Sequence, residues 1–316
     1  MMMPILVIVG PTAVGKTELA IEIARRVDGE IISADSMQIY QGLDIGTAKP
    51  TNTERQGIPH HMLDIMDPSE EFSVAEYQAM VEEILEDMDL REKVPILTGG
   101  TGLYIKAVLE GFLFGAEGKD EDFRAELHGL AETQGNSALH LRLQAIDAKT
   151  AGRLHPNDRR RIIRALEVYE TTGIPLSEHL ALQQQRGPRH PAVKFGLTRD
   201  RKQLYQRIET RVDQMLAMGL LEEVEQLLNQ GLTDDCTAMQ ALGYKELVGY
   251  LRGQYDLQEA IRLLKRDTRR YAKRQFTWFR RDTEITWLDL DTLSLDEAAE
   301  KVTTLYRRNL QPMGEI

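Results

Sequence analysis

Five apolar residues, Ile5–Val9, run without interruption into Gly10-Pro11-Thr12-Ala13-Val14-Gly15-Lys16-Thr17, and a helical pattern of about a dozen residues begins at Lys16. A strand with no polar face must be covered on both sides, and that requires a parallel sheet with helices on both faces. The segment from Gly10 to Thr17 satisfies G-x-x-x-x-G-K-[ST] in full, in the strand–loop–helix context the pattern needs. Its glycines let backbone N–H groups converge on phosphate oxygens, and the start of the helix adds a favourable dipole. Lys16 adds a point charge, and the Thr17 hydroxyl is placed to ligate Mg²⁺. The first function class is therefore a phosphate binder, with Gly10 to Thr17 as its cradle.

The strand–helix alternation continues through Gly29 to Asp35, a possible third strand at His60 to Ile65, a helix from about Val74 to Leu90, and a strand in Val94 to Gly100. The expected fold class is α/β, a P-loop parallel-sheet core with helices on both faces. From about Gly115 the pattern turns helical and polar until Pro191, then returns to a strand at Val193 to Leu197. An all-helical insertion over 115–190 is expected, carried on a core of 1–114 and 191–316. The remainder is mostly helical, with a possible edge strand at "ITWLDL".

Composition narrows the class further. No apolar run reaches the roughly 18 residues of a membrane span. The start "MMMPILVIVG" lacks a basic region and a cleavage site, so it reads as a buried strand rather than a signal peptide. The single cysteine, Cys236, excludes an internal disulfide framework and a Cys-rich zinc site. A cytoplasmic, monomeric protein is expected, with no membrane partner. Net charge is −11, yet Arg262 to Arg281 carries nine Lys or Arg against Asp267 alone, a window of +8 that leaves −19 elsewhere. A second cluster, "RRRIIR", spans Arg159 to Arg164. These islands fit either a polyanion gripped at two places or two solvated helix faces. His60 and His61 resemble a metal pair, but neighbours on a strand point to opposite faces, so no zinc is expected there.

A nucleotide-hydrolysing P-loop enzyme normally ends a second strand in an acid that holds Mg²⁺. Here "VPILTGG" ends in Thr-Gly-Gly, and the well-placed acid is Asp35 in "IISADSMQIY". Ligands bind beyond the carboxyl ends of parallel strands, so Asp35, Thr98 to Thr101 and the cradle should line one crevice. Asp35 is by position a Mg²⁺ acid, a general base, or the cap of a following helix. No guanine-reading Asn-Lys-x-Asp occurs.

Longer segments carry a resemblance. "GPTAVGKTELA", "EIISADSMQIYQGLDIGTAKP", "HHMLDIMDP", "LTGGTGLYIKA", "HPNDRRRIIRALEVYETTGIPLS", "AMQALGYKEL" and "AKRQFTWFRRD" follow one another in that order. Together, over about residues 5 to 282, they resemble the tRNA dimethylallyltransferase family of bacteria. The resemblance implies transfer of a dimethylallyl group from its diphosphate to N6 of adenosine 37, beside the anticodon. The partners implied are dimethylallyl diphosphate and the tRNA anticodon stem-loop, with Mg²⁺ as cofactor. It implies that Gly10, Pro11, Thr12, Ala13, Val14, Gly15, Lys16, Thr17 and Arg211 bind diphosphate, Thr17 through Mg²⁺. Asp35 becomes the general base, with Thr101 near the reacting centre or capping the next helix.

The tRNA-facing residues implied are Asp35, Ser36, Met37 and Gln38 around a flipped adenine, then Thr101 and Arg124. The stretches Arg160, Arg161, Ile162, Ile163, Arg164 and Gln240, Gly243, Tyr244, Lys245 join them. So do Lys273, Arg274, Gln275, Phe276, Thr277, Trp278 and Arg280, with Phe276 and Trp278 as stacking or core aromatics. "RRRII" is more basic than the family's usual sequence there. With one cysteine, the chain is expected to follow the short bacterial form rather than the eukaryotic form with its zinc finger. Two other readings share the loop: an adenylate isopentenyltransferase acting on free AMP, ADP or ATP, and a P-loop small-molecule kinase. A third is an RNA-binding module that keeps a vestigial loop.

Overall fold

The computed structural model describes residues 3–112 and 120–310. Six strands form one parallel sheet: β1 (Ile5–Val9), β2 (Gly29–Ala34), β3 (His60–His61), β4 (Val94–Gly99), β5 (Ala192–Thr198) and β6 (Thr286–Asp289), in the order β3-β2-β4-β1-β5-β6. The helices are α1 (Lys16–Val27), α2 (Asn52–Arg55), α3 (Val74–Leu90), α4 (Gly102–Glu110), α5 (Glu121–Gln134), α6 (Asn136–Ile146), α7 (Ala148–Ala151), α8 (Arg159–Thr172), α9 (Leu176–Arg186), α10 (Arg201–Ala217), α11 (Leu220–Asn229), α12 (Tyr244–Leu251), α13 (Leu257–Phe279) and α14 (Leu295–Leu310).

The chain divides into two compact units, Met1–Leu109 with His190–Ile316, and Glu110–Arg189. The boundary expected after residue 114 lies outside the described residues. In the larger unit β1 is buried along its whole length, as a strand without a polar face must be. Alternate residues feed two cores. Leu6 and Ile8 pack with Leu19, Ile23, Val302 and Tyr306 under α1 and α14. Ile5, Val7 and Val9 pack with Tyr77, Val81, Tyr104 and Val108 under α3 and α4. Ser73 and Glu76 start α3 with a reciprocal capping box. A third cluster joins Ile39, Tyr40 and Leu43, beyond β2, to α10 through α13.

The third strand is shorter than the six residues expected. It stops at His61 because Met62 (φ 61°) and Asp64 (φ 56°) take left-handed backbone that cannot continue a strand. His61 lies on Glu30, and His60 donates from Nδ1 to the Ile58 carbonyl at 2.8 Å. β6 is an edge strand whose Leu288 alone is fully buried.

The smaller unit is helical in its described part. Leu127, Leu139, Leu143, Ile162, Ile163 and Leu166 form its core. Glu167, fully buried, receives Arg124 on both carboxylate oxygens at 2.6 and 2.9 Å and Arg164 at 2.5 Å.

Candidate active site

The cradle is held open from outside. Ala13 sits at φ 63° and Gly15 at φ 113°, left-handed conformations that fold the loop back over the start of α1. Its outward carbonyls are taken by arginines: Arg207 donates to Ala13 at 2.9 Å and Arg199 to Val14 at 3.1 Å. Arg199 is itself fixed on Asp291 at 2.8 Å. Gly10 leaves no room for a side chain, because a Cβ there would lie 2.9 Å from the Leu197 carbonyl. Lys16 donates to the Gly10 and Pro11 carbonyls at 3.0 and 2.8 Å, leaving one of its three protons for a ligand.

A polar pocket lies beneath this loop, with Thr12, Lys16, Thr17, Ser33, Asp35 and Arg211 in its wall. Burial pushes the Lys16 ammonium down to about 8, against Asp35, which favours the charged form; Arg211 adds to the depression. Burial lowers Arg211 too, with Glu18 and Asp35 opposing. Neither cation forms an ion pair among the described residues. Two cations without ion pairs and the start of α1 at one pocket make a site for a compact polyanion. The Thr17 hydroxyl makes no hydrogen bond among the described residues, so it is free to act as a hard oxygen ligand beside the Asp35 carboxylate. The Thr17 hydroxyl fits as one ligand of Mg²⁺, with the Asp35 carboxylate in the wall of the same pocket. Among the described residues no group of three or more His, Cys, Asp or Glu could hold a metal, so the protein would supply only part of such an ion's shell.

A larger and more apolar pocket adjoins it, walled by Met37, Ile208, Val212, Met215, Leu242 and Leu264, with Arg274, Gln240, Gly243 and Lys245. Thr12, Asp35, Thr47, Arg211 and Tyr271 line both pockets. Asp35 therefore stands where an anion site meets an apolar one. One of its oxygens accepts the Met37 N–H at 3.0 Å. Residues 36–39 form turns, not a helix, so Asp35 is not a helix cap. Burial and Asp35 both push the Tyr271 hydroxyl well above the usual phenol range.

Several expected contacts are corrected. Gln38 lines the polar pocket but is held by the fold: its carbonyl accepts from Ser33 at 2.9 Å, and its amide donates to the Thr47 and Ala48 carbonyls at 3.2 and 3.4 Å. Thr101 lines neither pocket. Its oxygen accepts the Ser36 N–H at 3.1 Å, and it thereby braces the segment that carries Asp35. Ile162 and Ile163 face the helical core, leaving Arg160, Arg161 and Arg164 exposed around them, although Arg161 pairs with Asp158 and Arg164 with Glu167. Arg124 is committed to Glu167. Gly243 and Tyr244 are buried, and the Tyr244 hydroxyl bonds Glu223 at 2.5 Å. Gln275 is buried, and the partly buried Phe276 stacks on Trp287 of the edge strand at 5.9 Å. Trp278, by contrast, is 41% exposed, and Thr277 is exposed beside it.

The basic run on α13 also divides. Arg262, Lys265, Arg266, Arg269 and Arg270 are neutralised by Glu259, Asp213, Asp267 and Glu209. Lys273, Arg274, Arg280 and Arg281 form no ion pair among the described residues, although Arg274 lies over the Tyr271 ring and Arg280 over Phe276. The available positive charge is therefore concentrated at the C-terminal end of the helix.

Sequence reasoning missed Arg199, Arg207, Glu223 and Tyr271. Glu223 takes the backbone N–H groups of Asp44, Ile45 and Gly46 at 3.1, 2.8 and 3.1 Å, and so pins the loop beside Met37. A charged residue on a helix gives no sign of which distant backbone it will serve. Tyr271 had a signal, since Tyr271, Gln275 and Trp278 share one helix face.

A family model described as IPP transferase matches residues 38–282. That match begins after the cradle and Asp35. A protein of Halothermothrix orenii named tRNA dimethylallyltransferase is 52% identical over 96% of this chain and 92% of its own. One of Geobacillus kaustophilus with the same name is 51% identical over 98% of each. Among solved structures, the full-length tRNA isopentenylpyrophosphate transferase of Bacillus halodurans superposes with a TM-score of 0.74 at 45% identity, covering 97% of this chain and 96% of that one. A eukaryotic dimethylallyltransferase solved acting on tRNA gives 0.82 at 29% identity, over 99% and 81%. Agreement of this length, in sequence and in fold, shows that the chain belongs to the IPP transferase family.

Proposed function

We propose that the chain is a tRNA dimethylallyltransferase that moves the dimethylallyl group of dimethylallyl diphosphate onto N6 of adenosine 37, beside the tRNA anticodon. The observation that carries this reading is the position of Asp35, at the junction of a cationic pocket and an apolar one. An allylic diphosphate has this division: an anion at one end, a five-carbon chain at the other, and the breaking bond between them.

In this reading the loop N–H groups, Lys16 and Arg211 hold the diphosphate and stabilise the charge it gains as the C1–O bond breaks. Mg²⁺ on Thr17, with Asp35 near, would neutralise further charge on the same leaving group. The apolar wall of Ile208, Val212, Met215 and Leu264 takes the isoprenoid carbons. The lone pair of N6 forms the new bond to C1, diphosphate departs with the C1–O electrons, and Asp35 accepts the proton that N6 loses. To reach C1 the adenine must leave its stack, at a cost of a few kcal/mol that is smaller in a single-stranded loop than in a duplex. Ser36 and Met37 line the pocket it would enter, and Arg274, Lys245 and Gln240 its rim.

The exposed Arg160, Arg161 and Arg164 of α8, and Lys273, Arg274, Thr277, Trp278 and Arg280 of α13, supply the RNA-facing surfaces. No helix among the described residues is long and apolar enough to cross a membrane. A monomer acting on tRNA in the cytoplasm completes the reading.

The deciding experiment is incubation with labelled dimethylallyl diphosphate and either AMP or tRNA from a strain lacking the modification. Label in tRNA at the adenosine beside the anticodon is the expected result. Label in AMP alone would instead assign an adenylate isopentenyltransferase, and phosphoryl transfer from ATP without a prenyl donor would assign a kinase.

Lys16 gives a second expectation. The ammonium must carry its proton to hold the donor, and kcat/KM reports the free enzyme. With a pKa of about 8, kcat/KM for the donor should be level below that pH. Above it the value should fall about tenfold per unit as the charge is lost. A rate profile level to about pH 9.5 would contradict the role given to Lys16.

A further inference from the structure

Gln275 lies inside the larger unit and bridges the two loops that must face each other across the site. Its Oε1 accepts the Thr12 N–H of the cradle at 2.8 Å, and its Nε2 donates to the Gly100 carbonyl at 3.1 Å. The second of these loops, Gly99-Gly100-Thr101-Gly102, has no side chain at three of its four positions, and the neighbours show why. A Cβ on Gly99 would lie 2.1 Å from the Ala34 carbonyl, on Gly100 2.0 Å from Gln275 Nε2, and on Gly102 2.1 Å from Trp278 Nε1. α13 is therefore seated directly on the backbone of this loop. The residue between those glycines, Thr101, holds the Ser36 N–H next to Asp35.

A chain of contacts thus runs from the cradle through one amide to the segment that carries the base. The buried amide has both its ends in use, and the bonds it makes are to backbone groups that nothing else satisfies as directly. The other face of the same helix turn carries Lys273 and Arg274, exposed and without an ion pair among the described residues.

We infer that Gln275 is a positioning residue for prenyl transfer, setting the separation between the diphosphate cradle and Asp35 by clamping Thr12 to Gly100, rather than a contact to RNA. The inference rests on the proposed prenyl transfer, and it places on the RNA-gripping helix the part that brings the two substrates' sites into register. Gln275 stands in the wall of the anion pocket, with its amide oxygen held by the Thr12 N–H and its amide nitrogen by the Gly100 carbonyl. Its effect passes through Thr12 on one side and through Gly100, Thr101 and Ser36 on the other.

The test uses the full-length chain with three variants: Gln275→Ala, Gly100→Ala, and the two combined. Gln275→Ala should lower kcat by about 10²-fold, the loss that a misplacement near 1 Å produces, while tRNA Kd stays within about twofold. Gly100 has an ordinary backbone conformation, and what stands nearest its missing Cβ is the Gln275 amide. Gly100→Ala should therefore displace the clamp and slow turnover to a similar degree. The combined variant removes that clash, so its Tm should recover relative to Gly100→Ala while kcat remains as low as in Gln275→Ala.

A role in packing alone predicts the opposite, with kcat recovering along with Tm in the combined variant. That result, or a kcat for Gln275→Ala within about threefold of the unaltered chain, overturns the inference. Failure of the unaltered chain to transfer label to tRNA would instead overturn the proposed function, and the two failures are separately visible.

Discussion

Asp35→Asn is expected to lower the rate of prenyl transfer by about 10³-fold, within the range general bases contribute, while tRNA affinity changes by less than about threefold. The substitution is chosen because asparagine keeps an oxygen to accept the Met37 N–H, now at 3.0 Å, so the turn that presents the side chain survives. What disappears is the capacity to take a proton. The exocyclic amine of adenine is a weak nucleophile, its lone pair delocalised into the ring, and it cannot keep its proton once the bond to carbon has formed. Single-turnover rates with tRNA and donor in excess, beside filter binding of tRNA alone, separate the two effects. A rate within about tenfold of the unaltered chain would remove Asp35 from the chemistry.

Lys16→Met is the second large effect. Methionine fills similar space and supplies neither the charge nor the bonds to the Gly10 and Pro11 carbonyls. The donor's kcat/KM should fall by about 10²- to 10³-fold, as when a preorganised donor to a developing anion is removed. Binding of tRNA should be unaffected, because the polar pocket lined by Lys16 is distinct from the exposed cations of α13. Arg211 would remain, partly covering the lost charge, which is why the expected loss is bounded. Equal weakening of donor and tRNA would mean that Lys16 supports the fold of the region rather than the leaving group.

These two residues lie in the part of the site that the chain declares locally. A solid apolar strand, a glycine loop and a helix start are set by residues within a dozen positions of one another, because strand burial, loop conformation and helix dipole are short-range properties. The position of Asp35 at the end of the next strand follows from the rule that parallel sheets bind ligands at their carboxyl ends. The basic island on α13 was visible as well. What was not visible is that its first half is neutralised by Asp213 and Glu209, which lie on another helix, and by Glu259 and Asp267 on its own. The partners of Gln38 were hidden for a related reason: an amide with both donor and acceptor serves a base or a folded backbone equally well, and here it donates to Thr47 and Ala48.

The amino-acid order by itself determined the parallel α/β core, the anion cradle and the acid that faces it, since each is encoded in a contiguous stretch whose periodicity or spacing has one low-energy solution. The tertiary structure alone decided which polar side chains remain free for a ligand. Arg124, Gln38 and Gln275 are engaged by groups 43, 9 and 263 positions away, whereas Arg211 and Thr17 are left without a protein partner among the described residues. Hydrogen bonds and ion pairs saturate, so a side chain's availability depends on every neighbour the fold brings to it, and no local pattern records that.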